Sequence, residues 1–166
     1  MAFEVWQPGM IMTEERMASI SPTWEDWVPT WVTSSGSATP SFGNAVLTCR
    51  YALSATTCCG KFDVAFGSTT SFGTSPTTGD NWRFGLPVAA SALHNVAGFA
   101  ELNASTGARV VARIRLTTTA AFELEVSSGR PDATAVAFTG LVDALTPWTW
   151  TSGNTIRGTF QYEIAN

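Results

Sequence analysis

The sequence predicts an all-β protein: an antiparallel β-sandwich of the jelly-roll kind, with eight or nine short strands behind a short N-terminal arm that contains a helix. Three observations carry this. The first is a hairpin at Arg109–Ser127, RVVARIRLTTTAAFELEVS. Folding it about Thr119 sets Leu116 against Phe122, Ile114 against Leu124 and Ala112 against Val126. The other side then pairs Arg115 with Glu123 and Arg113 with Glu125. Apolar and opposite-charge pairs demand one register, and a slip of one residue would carry the charges into the core. The second is composition: 13% charged residues, a single lysine (Lys61), abundant Thr, and frequent Gly and Pro. The third is a series of short alternating runs separated by turn signals.

The arm comprises residues 1–33. It holds Met10, Met12 and Met17 together with Trp6, Trp24, Trp27 and Trp31. Pro8-Gly9 reads as a turn. Thr13 reads as an N-cap, with Glu14 and Glu15 in the first turn complementing the helix dipole. The helix over 14–20 has two turns at most, Ser21-Pro22 ends it, and so short a helix needs something to dock on. The stretch Trp24–Trp27 is amphipathic without a clear period. A small sandwich does not need thirty extra apolar residues. The expectation is an anchor that buries against a partner, through Trp6, Met10, Ile11, Met12, Met17, Trp24 and Trp27. The competing reading folds the arm back on its own domain.

The second domain, residues 34–166, carries the strands. TSSGSATPSFGN, from Thr33 to Asn44, is a linker or wide loop. Strands are expected at 45–53, at 60–67 (Phe62, Val64 and Phe66 on one face), at 82–88 and at 96–103. The hairpin follows, then strands at 135–144 and 155–165, the last with Ile156, Phe160, Tyr162 and Ile164 on one face. Pro87 marks 82–88 as edge-like. Segments 68–81, 127–134 and 145–154 read as loops.

Net charge is −4 with no basic tract, so neither nucleic acid nor an anionic membrane surface is an expected partner. No stretch approaches the roughly 18 apolar residues of a membrane span, and the N-terminus lacks the pattern of a signal peptide. Cys49, Cys58 and Cys59 read as buried thiols made in a reducing cytosol. Adjacent Cys58 and Cys59 would point to opposite faces of a strand, while Cys49 could reach one of them across a hairpin. No zinc-type spacing occurs, and no metal or cofactor is expected.

Catalysis is not expected. His94 is the single histidine and has no nucleophile elbow beside it. Glu123 and Glu125 are matched to arginines, so they do not read as a hydrolytic carboxylate pair. Tryptophan, seven in all, is the loudest residue. Aromatic rings beside amides and carboxylates make sugar platforms, and Asp80, Asn81, Trp82, Trp148 and Trp150 are the candidate glycan contacts. The competing role for these rings is to fill the core or a subunit interface.

Residues Gln7–Ile20, QPGMIMTEERMASI, resemble the opening segment of bacteriophage tail-fibre and minor tail proteins. Trp27-Val-Pro-Thr-Trp31, Gly43–Tyr51, Trp82–Val88 and Gly158–Glu163 resemble a β-sandwich module of actinobacteriophages and related prophages. Cys58-Cys59 and Met17 depart from the pattern. The resemblance implies a non-enzymatic virion structural protein, trimeric, made in the host cytoplasm and exposed on the particle. It would be tail-associated and receptor-binding, with other virion proteins as partners. The alternative is a capsid decoration or head-fibre protein; a free carbohydrate-binding module is a further one.

Overall fold

The computed structural model describes residues 8–11, 13–14, 23–126 and 140–165. Eleven strands join in one antiparallel sheet: β1 (Glu25–Asp26), β2 (Trp31–Thr33), β3 (Val46–Leu47), β4 (Arg50–Ser54), β5 (Thr57–Ala65), β6 (Trp82–Gly85), β7 (His94–Asn103), β8 (Arg109–Leu116), β9 (Ala121–Val126), β10 (Gly140–Leu141) and β11 (Thr155–Glu163). The order across the sheet is β1-β4-β5-β11-β7-β8-β9-β6-β2, with β3 beside β5 and β10 beside β9. The all-β, antiparallel expectation holds. The expectation of two stacked sheets is corrected: a single sheet curls into a half-barrel whose walls face each other. Among the described residues every element is a strand, and Glu14 alone is helical. Most of the short helix expected over 14–20 lies outside them, as do Trp6, Met12, Met17 and the loop at 127–134.

The curl follows from where the large rings point. Phe62 on β5 and Phe84 on β6 are separated by four strands in sheet order, yet their ring centroids lie 4.8 Å apart. Phe122 sits 5.2 Å from Phe62 and 5.5 Å from Phe84. All three are fully buried, and each contributes about 1.5–3 kcal/mol of transfer free energy. Alternation on β11 directs Ile156, Phe160 and Tyr162 inward, as its pattern predicts.

The β8–β9 hairpin has the register read from the sequence: Ala112↔Val126, Arg113↔Glu125, Ile114↔Leu124, Arg115↔Glu123 and Leu116↔Phe122. The ion pairs differ from the rungs. Arg113 and Arg115 both donate to Glu125, at 2.8 and 2.9 Å, while Glu123 is taken by Arg83 of β6 at 2.7 Å. The expected strand 45–53 divides into β3 and β4 at Thr48-Cys49. Strand β6 is internal, between β9 and β2, and Pro87 falls beyond its end.

The described end of the arm is part of this sheet. β1 pairs with β4 at one edge, and β2 pairs with β6 at the other. The nine residues Glu25–Thr33 therefore form a strap across the open side of the half-barrel. Trp27 N donates to Cys49 O at 3.0 Å, and Gly85 N donates to Thr30 O at 2.9 Å. Trp27 packs against Phe62 and Phe160, and Trp31 against Phe66, Trp82 and Phe84. For residues 23–33, folding back on the domain is what occurs. The linker is held as well, since Phe42 lies 5.0 Å from Trp31 and Ser41 bridges Ser71.

Candidate functional site

The predicted glycan residues do not form an exposed platform. Trp82 and Trp150 are buried, 5.1 Å apart, in the aromatic cluster at one end of the interior. Trp148 is half-buried, 5.4 Å from Trp150. Asp80 is buried and organises a turn. It accepts from Thr77 N and Thr77 Oγ1, both at 2.8 Å, and from the Ser35 hydroxyl. The Ser35 bond and then the Thr77 bonds hold its carboxyl below the ordinary aspartate range. Asn81 spends its backbone N–H on Ser34 Oγ. Core filling, the competing role, describes Trp82 and Trp150.

Of the anchor candidates that are described, Trp27 faces the interior, while Trp24 and Ile11 are exposed and Met10 is half-buried. The three cysteines are free thiols. Cys58 points inward and is fully buried, whereas Cys59 is part-exposed on the outer face. Burial pushes the Cys49 thiol up to about 11, and it raises Cys58 as well.

The concavity of most chemical interest lies on the outer face, across β5, β11 and β7. Register builds it. Gln161 stands opposite Cys59, and Thr159 stands opposite Lys61 on one side and Phe99 on the other. Adjacent partners in a sheet point the same way, so these side chains share the outer surface. The register of β7 shifts between His94 and Gly98, and a bulge of this kind re-aims the chain. Around the shift stand the small residues Ala97 and Gly98. Gly98 is obligatory, because a Cβ there would come within 2.0 Å of Thr159 O. Gly60 has the same role on the inner side, where the Phe160 ring occupies the space that a Cβ would need.

Small residues form the floor and rings form the rim. Trp24, Phe99, Thr159, Gln161 and Cys59 line a shallow groove. Trp24 is 46% exposed and Phe99 59% exposed, far more than rings packed into a core. A second hollow continues from Gln161 and Ala97 towards Thr57, His94 and Glu163. Nearby charges are already paired: Asp26 with Arg50 at 3.0 Å, and Lys61 with Asp63 at 2.9 Å. Between the rings the groove thus offers one amide and one hydroxyl on an uncharged floor.

Sequence reasoning missed Phe99, Thr159 and Gln161. The signal existed for two of them. Once Phe160 and Tyr162 face inward, Thr159 and Gln161 must face out. Among the described residues there is no cluster of three or more metal-binding side chains. No helix among them is long and apolar enough to cross a membrane. No family model, no curated protein and no solved structure matches the chain.

Proposed function

We propose that this chain is a non-catalytic structural protein of a bacteriophage virion, tail-associated, with its curled β body turned towards the host surface. The observation that carries the reading is the continuity of the chain. The segment resembling tail-protein openings runs directly into the strap that joins both edges of the sheet. A load taken by the preceding residues would then pass into the wall of the body rather than into a loose loop. The outward side of the strap adds support. Val28 is 77% exposed and Val32 50%, and apolar surface beside an attachment point is what an assembly would cover. A surface poor in charge suits a display role among sister copies, and a homotrimer is the proposed state.

Cryo-EM reconstruction of purified particles of the encoding virus, with mass spectrometry of their proteins, tests the proposal. Density for this chain on the tail is the expected result. Density on the head would make it a capsid decoration instead. Absence from particles would overturn the virion reading altogether.

A further inference from the structure

We propose that the outer groove between Trp24 and Phe99 binds an uncharged oligosaccharide. The proposal deepens the host-surface reading and rests on it only for the source of the sugar. The argument starts from two rings that folding leaves uncovered. Trp24 precedes β1, whose Asp26 pairs across to Arg50 on the outer face; alternation therefore sets Trp24 on that same face. Phe99 projects from β7 between Gly98, which has no side chain to cover it, and Ala100, which is buried. Exposed rings present a flat apolar surface of the kind that the C–H face of a pyranose covers.

Between the rings, Gln161 supplies an amide that both donates and accepts, and Thr159 supplies a hydroxyl that does the same. Sugar hydroxyls need both functions. The neighbouring ionic side chains of Asp26, Arg50, Lys61 and Asp63 are engaged with one another, and Glu163 lies at the far end of the adjoining hollow. Of the arginines on this face, Arg113, opposite Phe99, is held by Glu125, and Arg157 stands between Asp63 and Glu101, so a phosphate, sulfate or carboxylate would meet no cation without an acid beside it. Ring faces and neutral hydrogen-bonding groups, with the neighbouring charges matched in pairs, select a neutral sugar chain over an anionic one. Trp24, expected from sequence to anchor the chain, is here a ligand-facing residue.

The test titrates the full-length chain, by calorimetry and tryptophan fluorescence, with uncharged gluco-, manno- and galacto-oligosaccharides of two to six units. Oligogalacturonate is the charged comparison. At least one neutral series should bind, and oligogalacturonate should not. Trp24→Ala, Phe99→Ala and Gln161→Ala should each weaken that binding about tenfold or more. Val111→Ala, on the outer face of β8 away from the groove, should change it less than about twofold. Phe99→Ala removes an exposed ring and leaves folding intact, which keeps the test decisive if Trp24→Ala unfolds. Silence of every neutral series at about 10 mM, preference for the anionic sugar, or wild-type binding by Phe99→Ala would each overturn the proposal. Absence of the chain from particles would overturn the virion reading and leave the sugar site standing; silence in the titration would do the reverse.

Discussion

Arg83 Nε lies 2.7 Å from Glu123 Oε1, and that contact redistributes the charges of the β8–β9 hairpin. Glu123 is only 2% exposed, so its carboxylate depends on the partner that β6 brings. Arg115, directly opposite Glu123, turns to Glu125 instead. Arg83→Met would leave a buried carboxylate without its guanidinium and should cost about 2–3 kcal/mol in urea unfolding. The double variant Arg83→Met with Glu123→Met should recover most of that loss. Equal losses for single and double variants would deny the coupling.

The same geometry limits rescue at the next rung. Arg113→Glu should cost about 0.5–1.5 kcal/mol, since like charges then stand opposite each other. Adding Glu125→Arg should restore only part of it. Arg115 also donates to Glu125, at 2.9 Å, and would then face a second guanidinium. Full restoration would mean that the Arg115 contact contributes nothing.

How much of this was legible depended on sequence distance. The hairpin register came out of the sequence because ten residues close together in the chain carried both its apolar and its charge pairs. The inward face of β11 was legible for the same reason, from its strict alternation. Arg83–Glu123 was not, because the partners are forty positions apart and an acid with a local arginine already looked satisfied. The strap was not, because β1 and β2 have two and three residues, too few to show a period, and Trp24 and Trp27 on either side of β1 suggested an exposed anchor. The groove was hidden because it exists only once β5, β11 and β7 come together with the register shift before Gly98.

The strap predicts where truncation becomes damaging. Removing residues 1–22 should leave a cooperative unfolding transition, because every described sheet pairing is retained. Removing residues 1–33 should abolish that transition. It strips β1 and β2 from both edges and takes Trp27 and Trp31 out of the core. Trp31→Ala alone should cost about 3–5 kcal/mol. A chain starting at residue 34 that unfolds as sharply as the full length would show the strap to be dispensable.

The buried thiols set an alkaline limit. Cys49 is pushed up to about 11 in the folded state from an ordinary 9.0, so the unfolded chain gives up its proton first. The contribution is complete below pH 9 and is lost as pH rises towards 11. Raised Cys58, Tyr51 and Tyr162 act in the same direction. Urea midpoints should fall across this window, and Cys49→Val should shallow the fall. Cys59, the part-exposed thiol, should react with a maleimide in the native protein while Cys49 and Cys58 wait for unfolding.

The glycines under the groove should separate two kinds of crowding. A Cβ at Gly60 would come within 2.0 Å of the Phe160 ring, which is a side chain with some freedom to move. Gly60→Ala should therefore cost about 1–3 kcal/mol, and Phe160→Leu should relieve part of that loss when combined with it. A Cβ at Gly98 would come within 2.0 Å of Thr159 O and 2.7 Å of Phe160 Cα, both backbone atoms. No side-chain change relieves that clash. β7 must move away from β11, breaking the pairing that positions Phe99 beside Thr159. Gly98→Ala should thus destabilise more than Gly60→Ala, and its loss should persist in the Phe160→Leu background. Equal rescue of both variants would place the obstruction in the ring rather than in the close approach of the two strands.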